Sequence, residues 1–355
     1  LSAKPGKDFY EYSAGGWMKA HPLTPEYTRF GQFDQLHENN QAQVRELIED
    51  LAKHPQAKGT LGQKIGSLYN LAMDSVRRNR EGIAPLRPVL AKVRDIKSKK
   101  DYQLVVAQLD RKGAAAMMFD FGISADIRNA AMNLVNISQG GISLGERDYY
   151  LNDDSTTVKV RNAYKAYIKK LFTMVGDDQS TAGKKMQAVM AIETQIAKAS
   201  YSATQLRDVE GNYHKMSYAQ LLKDFPGIDW EATRTALGFP TFQEVTVNQI
   251  EPLHEVEKIL NDYTLDDLKA YAEFKVIDAA ANALDDNFRA ASFDFYSKTM
   301  SGAQQDRPRW KRAVGVVNGV LGMAVGKMYV EKHFPEAAKK RMLELVRNLQ
   351  VALGE

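Results

Sequence analysis

The sequence contains no cysteine. Disulfide bonds, thiolate nucleophiles and cysteine-ligated zinc sites are therefore all excluded. The lack of cysteine does not fix the compartment, because a secreted protein can also do without it. With 44% hydrophobic and 26% charged residues among 355, the composition is that of an ordinary globular protein that can bury a sizeable core.

Long apolar runs are also lacking. The longest nearly apolar stretch, residues 313–326, is interrupted by Asn318 and is shorter than the roughly 18 residues that span a bilayer. We therefore expect no transmembrane segment in this chain. The same stretch carries glycines that fall on one face of a helix, and each costs about 1 kcal/mol relative to alanine. The pattern predicts close packing of that face against another helix; the glycines are Gly315, Gly319, Gly322 and Gly326.

The excess of positive charge is small, with 48 Lys and Arg against 44 Asp and Glu. Basic clusters are short and scattered, and the most concentrated is residues 307–312, Arg-Pro-Arg-Trp-Lys-Arg. One such cluster is typical of a helix start or a set of ion-pair partners rather than of a nucleic-acid surface. We therefore predict that nucleic acid is not a partner.

Motifs for nucleotide binding and nucleophilic catalysis are absent. There is no Gly-x-Gly-x-x-Gly and no Gly-x-Ser-x-Gly. Residues 322–328 resemble a phosphate loop, but the spacing is one residue short and Met328 occupies the position of the magnesium-binding hydroxyl. Paired aspartates are predicted to cap helices rather than to act as acid and base; they are Asp153-Asp154, Asp177-Asp178 and Asp285-Asp286.

The six histidines do not form a zinc site. A zinc peptidase of the His-Glu-x-x-His type needs two histidines four residues apart on one helix. Two His-Glu pairs occur, but the residue four positions after His37 is Gln41 and the residue four positions after His254 is Lys258. We predict no catalytic residue and no metal ligand in this chain.

Hydrophobic periodicity predicts a mainly α protein, a large multi-helix domain with one small β-hairpin at about residues 115–138. Most of the chain shows apolar residues at helical spacing, separated by short polar breaks. The hairpin is predicted where apolar and β-branched residues occur on both sides of Asp126-Ile-Arg-Asn129. No repeat of 20–50 residues is visible, which argues against a solenoid.

Several motifs in the same order resemble the neprilysin-like zinc metallopeptidases. The N-terminal motifs are Asp8-Phe9, Gly16-Trp17 and Arg29-Phe30-Gly31-Gln32-Phe33-Asp34; the later ones are Arg147-Asp148-Tyr149-Tyr150, Tyr213-x-Lys215-Met216, the 307–312 cluster and Gly326-Lys327-Met328-Tyr329-Val330. The motif Tyr213-x-Lys215-Met216 departs from the family pattern, which has Asn where His214 stands. The resemblance extends from Asp8 to Leu353, nearly the whole chain.

This resemblance implies the N-terminal, non-catalytic helical half of such an enzyme. Residues 1–30 would pack toward a missing catalytic half, and residues 31–355 would form a helical cap that restricts access to short peptides. The implied partners are the C-terminal catalytic half of the same polypeptide and a short peptide substrate. The full-length enzyme would hydrolyse peptide bonds with one zinc ion, bound by residues outside this chain.

Family members from animals are stapled by disulfides, so the lack of cysteine points to a bacterial relative. The resemblance then implies an exported protein, periplasmic, anchored to the outer membrane or secreted, although a cytoplasmic location stays open. The alternative function is a stand-alone helical binding or adhesion module of the cell envelope without peptidase activity. The two differ in whether the reading frame continues past residue 355 into a His-Glu-x-x-His motif.

The resemblance also identifies two candidate substrate-binding residues. Arg29 matches a family arginine that binds the free carboxylate of a short peptide, and a guanidinium can do so through two hydrogen bonds. A second family arginine, eight residues later, is His37 here, so one charge of the pair would depend on pH. The alternative for Arg29 is a structural ion pair at the helix entry, with Asp34 or Glu26.

Overall fold

A computed structural model describes residues 3–354 and confirms the mainly α prediction. Within that range there are sixteen α-helices, a 3-10 turn at Gln205–Arg207 and a π-helical turn at Phe293–Met300. The helices are α1 (Phe9–Ala20), α2 (Gln32–Lys53), α3 (Leu61–Met73), α4 (Ser75–Glu81), α5 (Arg87–Arg94), α6 (Lys99–Asp110), α7 (Asp148–Leu151), α8 (Ser155–Met174), α9 (Gln179–Ala199), α10 (Tyr218–Asp224), α11 (Trp230–Leu237), α12 (Ile250–Asp262), α13 (Leu265–Ala281), α14 (Asp286–Ser292), α15 (Arg309–His333) and α16 (Glu336–Gly354).

The predicted hairpin is present as two antiparallel strands, β1 (Phe119–Asp126) and β2 (Asn129–Gln139). Two shorter strands, β3 (Lys215–Ser217) and β4 (Glu244–Val247), extend it into a sheet of order β1-β2-β4-β3. Strand β4 runs parallel to β2 and antiparallel to β3. The sequence analysis did not predict these two strands, since three or four residues are too few to show an alternating pattern.

The chain divides into two compact units, residues 1–77 with 301–355, and residues 78–300. The division expected from the sequence, between residues 30 and 31, therefore falls inside the first unit. The core of the first unit is formed by α2, α3 and α15, and its buried residues are Val44, Leu47, Ile48, Ile65, Tyr69, Ala313, Val314, Val317 and Val325.

The glycine face of α15 does not pack against another helix of the described chain. A β-carbon added at any of Gly315, Gly319, Gly322 or Gly326 would find no atom within 4 Å apart from its chain neighbours and the nearby backbone of its own helix. The neighbouring side chains Val316, Val320 and Met323 are exposed, Met323 to 91%. The prediction of close packing is therefore wrong within the described residues, because the buried side of the helix is the one that carries Val314 and Val317.

Helix α15 is also long and apolar enough to cross a membrane, with a mean hydropathy of 1.5 over its best 18-residue window and 22% of that window buried. A search for uninterrupted apolar runs does not find this helix, because Asn318 and the glycines interrupt the run. The mean hydropathy of the window nevertheless stays high. Core helices of soluble proteins pass the same test, so the expectation of no transmembrane segment stays a prediction.

The second unit has a continuous core of its own, centred on α13. This helix buries residues around its whole circumference, as a central helix does; they are Leu268, Ala270, Tyr271, Ala272, Glu273, Phe274, Lys275, Val276, Ile277 and Ala281. The paired aspartates act as predicted, because Asp154, Asp178 and Asp285 are the N-caps of α8, α9 and α14.

Glu273 is the acidic centre of a buried ion network in this unit. Its side chain is 3% exposed and accepts hydrogen bonds from Arg94, at 2.8 Å from Nε, and from Lys185, at 2.6 Å from Nζ. The same Nζ lies 2.7 Å from Asp177 Oδ2. The network links α5, α9 and α13, so its loss should lower the folding stability of the whole second unit.

We expect Lys185→Met to lower the free energy of unfolding by about 1–3 kcal/mol, since two carboxylates lose a partly buried partner while Arg94 still holds Glu273. Urea denaturation followed by circular dichroism measures this loss. The matched control is Lys258→Met, which removes an exposed lysine 3.0 Å from Glu255 and should cost at most about 0.5 kcal/mol. Equal losses in the two variants would contradict a stabilising role for the network.

Candidate functional site

Arg29 lies in the loop between α1 and α2, and aromatic packing fixes the residues beside it. The ring of Phe30 stacks on Trp17 with centroids 6.1 Å apart, and it meets Tyr27 edge-on at 5.1 Å. The start of the loop is held at Pro25, whose carbonyl accepts hydrogen bonds from two backbone amides, at 2.9 and 3.0 Å; the donors are Gln304 and Gln305.

The motif that carries Arg29 also begins helix α2. Gly31 is the N-cap in an extended conformation, and the Asp34 carboxylate accepts its backbone N–H at 2.8 Å, which is one of the two hydrogen bonds of a capping box. Phe30 packs, while Gly31 and Asp34 start the helix. Arg29 and Phe33, whose side chain is 87% exposed, are residues of this motif for which the described structure shows no local structural role.

The side chain of Arg29 is exposed and has no ion pair or hydrogen bond with any side chain in residues 3–354. Both carboxylates proposed for a structural ion pair are engaged elsewhere: Asp34 caps α2 and Glu26 binds Lys311. The helix-entry ion pair is therefore not formed here. A free guanidinium can bind a carboxylate by donating two parallel hydrogen bonds to its oxygens.

His37 lies in the second turn of α2 and is also exposed. Its Nε2 is 2.7 Å from Nε2 of Gln41, so the amide donates to the ring nitrogen in this arrangement. No contact joins His37 to Arg29 among the described side chains. The structure thus places both candidates on one loop-and-helix segment without bringing them into direct contact.

A buried lysine that the sequence analysis did not single out lies close to this segment. Lys311, near the start of α15, is 5% exposed, and its Nζ lies 2.7 Å from Glu26 Oε1 and 2.8 Å from Glu38 Oε1. Burial lowers the pKa of Lys311, but the two carboxylates outweigh it and the net shift is upward. The Tyr27 hydroxyl also donates to Glu38.

The same contacts shift the pKa values of Glu38 and Tyr27. Burial would raise the pKa of Glu38, but the hydrogen bonds from Lys311 and Tyr27 outweigh it and the net shift is downward. The pKa of Tyr27 is raised, first by burial and then by Glu38. Lys311 therefore ties the loop before Arg29 to the helix that carries His37, as an ammonium between two carboxylates.

The Arg-Asp-Tyr-Tyr motif has a structural role in the second unit. Tyr150 donates a hydrogen bond to Glu193 at 2.7 Å, and Tyr164 and Ser143 donate to the same carboxyl at 2.8 and 2.7 Å. Glu193 is fully buried, and the ammonium of Lys275 lies 4.0 Å away. Burial raises the pKa of Glu193 although all four neighbours oppose it. The sequence showed Tyr150 but not its partner, which lies on a separate helix.

No group of three or more His, Asp or Glu side chains could hold a metal ion among residues 3–354. Of the two near-miss histidines, His254 contacts Glu257 at 3.0 Å and His37 contacts Gln41. The residues present do not fit a zinc ion, so no chemical step through zinc is assigned to them.

Comparison with known proteins gives the family. The family model for the N-terminal part of peptidase family M13 matches residues 5–355. Endothelin-converting enzyme 1 of Rattus norvegicus is 28% identical over 366 aligned residues, which cover 99% of this chain and 47% of the rat protein. The Homo sapiens enzyme is 27% identical, with 99% of this chain and 46% of the human protein covered. The chain thus spans about half the length of these relatives.

Solved structures agree with this assignment. The Mycobacterium tuberculosis zinc metalloprotease Zmp1, solved with an inhibitor, is 32% identical with a TM-score of 0.92, over 99% of this chain and 53% of that one. PepO of Lactobacillus rhamnosis shares the fold, with a TM-score of 0.80 at 18% identity, over 97% of this chain and 54% of that one. The resemblance to neprilysin-like metallopeptidases is confirmed, and the chain belongs to peptidase family M13, of which it represents the N-terminal part.

Proposed function

We propose that this chain is the non-catalytic N-terminal half of a zinc-dependent metalloendopeptidase that hydrolyses short peptides. The observation that carries the proposal is the family match over residues 5–355 combined with the coverage of only about half of each relative. The zinc ion and the catalytic groups then belong to the C-terminal half of the same polypeptide. The chain by itself is inactive, and the lack of a metal-binding group in residues 3–354 supports this.

The partner surface is proposed on the first unit. Helix α16 has no buried residue, yet it carries apolar side chains at helical spacing. The exposed ones are Met342, Leu343, Leu345, Val346, Leu349, Val351 and Leu353. A single amphipathic helix gains little stability in water unless its apolar face is covered. We assign the cover of this face, and of the open side of α15, to the C-terminal half.

Within the proposed enzyme, Arg29 binds the free carboxylate of a short peptide and His37 contributes a second contact to the substrate. The support is the exposure of both side chains and the absence of an ion partner for Arg29 in the described chain. Residues 78–300, which have a continuous core of their own, are assigned the role of a cap that excludes large substrates. An exported bacterial location is proposed as well, in keeping with the 32% identity to the Mycobacterium tuberculosis enzyme.

The test compares the full-length gene product with residues 1–355. We expect the full-length protein to bind about one zinc ion per chain after dialysis and to cleave short peptides, but not folded proteins, in a chelator-sensitive reaction. Residues 1–355 alone should bind no stoichiometric zinc by elemental analysis and cleave none of these peptides. Zinc and peptidase activity in the isolated residues, or a stop codon directly after residue 355, would contradict the proposal; the stop codon would favour a stand-alone binding module.

A further inference from the structure

Three acidic residues lie close to Arg29 in the sequence. Glu26 precedes it by three residues, Asp34 follows by five, and Glu38 lies next to His37. A guanidinium with such neighbours would ordinarily pair with one of them, and it would then offer no full charge to a substrate. Arg29 nevertheless has no partner among the described residues.

The contacts explain why these carboxylates leave Arg29 alone. Asp34 is turned to the Gly31 amide at the helix start, 2.8 Å away. Glu26 and Glu38 both bind the ammonium of Lys311, at 2.7 and 2.8 Å. A buried ammonium between two carboxylates is held firmly, because separating either pair would leave a charge without a partner in a poorly solvated place.

Aromatic contacts connect the residues beside Arg29 to Lys311 and Glu38. The Lys311 ammonium lies 5.5 Å from the centre of the Tyr27 ring, and the Tyr27 hydroxyl donates to Glu38. Tyr27 in turn meets Phe30 edge-on. The backbone of Arg29 is therefore bounded by Tyr27 on one side and Phe30 on the other, both tied to the lysine cluster.

We propose that Lys311 is a positioning residue for substrate binding: it occupies the carboxylates of Glu26 and Glu38, so that the Arg29 guanidinium stays free for the carboxylate of a peptide. This inference rests on the proposed role of Arg29. Without Lys311, Glu26 and Glu38 would either pair with Arg29 or repel an incoming carboxylate, and both outcomes weaken binding of a free acid.

The test is equilibrium binding to the full-length enzyme, with zinc removed by a chelator so that no turnover occurs. The probes are the dipeptide phenylalanyl-alanine and its C-terminal amide, measured by calorimetry. Lys311→Met should weaken binding of the free acid by about 10-fold and of the amide by less than about 2-fold. Lys332→Met is the matched control on the same helix, since it removes an exposed ion pair with Glu46 at 2.8 Å and should change neither.

Glu38→Gln tests the same idea in the opposite direction and does not depend on the stability of the lysine variant. The amide keeps an oxygen that can accept from Tyr27 and Lys311 but removes one negative charge, so the free acid should bind about 2- to 3-fold more tightly and the amide equally well. Lys311→Arg should restore free-acid binding to within about 3-fold of wild type, because a guanidinium can hold two carboxylates.

Arg29→Ala distinguishes a failure of the proposed role of Arg29 from a failure of the inference about Lys311. If it does not reduce the preference for acid over amide, the role of Arg29 is wrong and the inference about Lys311 fails with it. If Arg29→Ala reduces the preference while Lys311→Met and Glu38→Gln leave it unchanged, only the inference about Lys311 is overturned. Equal losses of acid and amide binding in Lys311→Met, together with an unchanged preference in Glu38→Gln, would leave Lys311 as a structural residue.

Discussion

Glu193→Ala is expected to lower the free energy of unfolding by about 3–5 kcal/mol. The carboxyl is fully buried and accepts hydrogen bonds from three hydroxyls, so its removal leaves all three without an acceptor inside the core. The nearby Lys275 ammonium loses its buried counter-charge at 4.0 Å as well. Urea denaturation followed by circular dichroism measures the loss.

The control is Glu193→Gln, which has nearly the same shape and keeps one oxygen for the hydroxyls. It should cost about 1–2 kcal/mol, because one acceptor oxygen remains in place of two. If alanine and glutamine cost the same, the loss comes from the missing charge and second acceptor oxygen, and neither side-chain packing nor the oxygen that glutamine keeps stabilises the core. A cost below about 1 kcal/mol for alanine would contradict the prediction outright.

The contribution of Glu193 to folding stability depends on pH, and the sign of this dependence follows from its raised pKa. Burial raises the pKa of Glu193 in the folded state, so the folded chain holds this proton more tightly than the unfolded chain does. The contribution of this group to stability is therefore greatest below the unfolded pKa of about 4.3 and falls as the pH rises towards the raised folded value. Other carboxylates titrate in both proteins, so the difference between wild type and Glu193→Gln isolates this effect.

The main secondary structure could be predicted because the segments that form it are long and periodic. The β1–β2 hairpin shows alternation over enough residues to be recognised, and the paired aspartates occur where helices begin. Strands β3 and β4 could not be predicted in this way. Strand β4 joins the sheet by pairing with β2, as Val245 does with Val135, and β3 joins it by pairing with β4; local sequence carries no signal for such distant contacts.

The glycines of α15 show a different limit. Periodicity identified one face of the helix correctly as a set of small residues, but it could not tell whether that face meets another part of this chain. The core instead forms on the side of Val314 and Val317. The cost of the glycines predicts a close-packed partner for this face but does not say where in the polypeptide that partner lies.

In the candidate site, one residue could be predicted from the sequence and another could not. Arg29 could be found because it lies within a contiguous motif, and that motif also contains the glycine and aspartate that start α2. Lys311 could not, because its importance arises from contacts to Glu26 and Glu38, which are remote in the sequence. The basic cluster that contains it was visible as charge, but charge alone does not show which lysine is buried.

Arg29→Ala in the full-length enzyme is expected to lower kcat/KM for peptides with a free C-terminus near the scissile bond by roughly 10- to 150-fold. This range corresponds to the loss of a charge-assisted hydrogen-bond pair, about 1.5–3 kcal/mol. The exposed, unpaired guanidinium can be removed without breaking an ion pair in the described structure, so little loss of folding stability should accompany it. Steady-state kinetics on matched acid and amide peptides measures the effect.

The comparison of acid with amide separates binding from folding. Amidated peptides never present the full carboxylate and should lose much less, whereas a folding defect would reduce both substrates alike. If Arg29→Ala lowers kcat/KM equally for acids and amides, Arg29 supports the loop and does not bind the substrate.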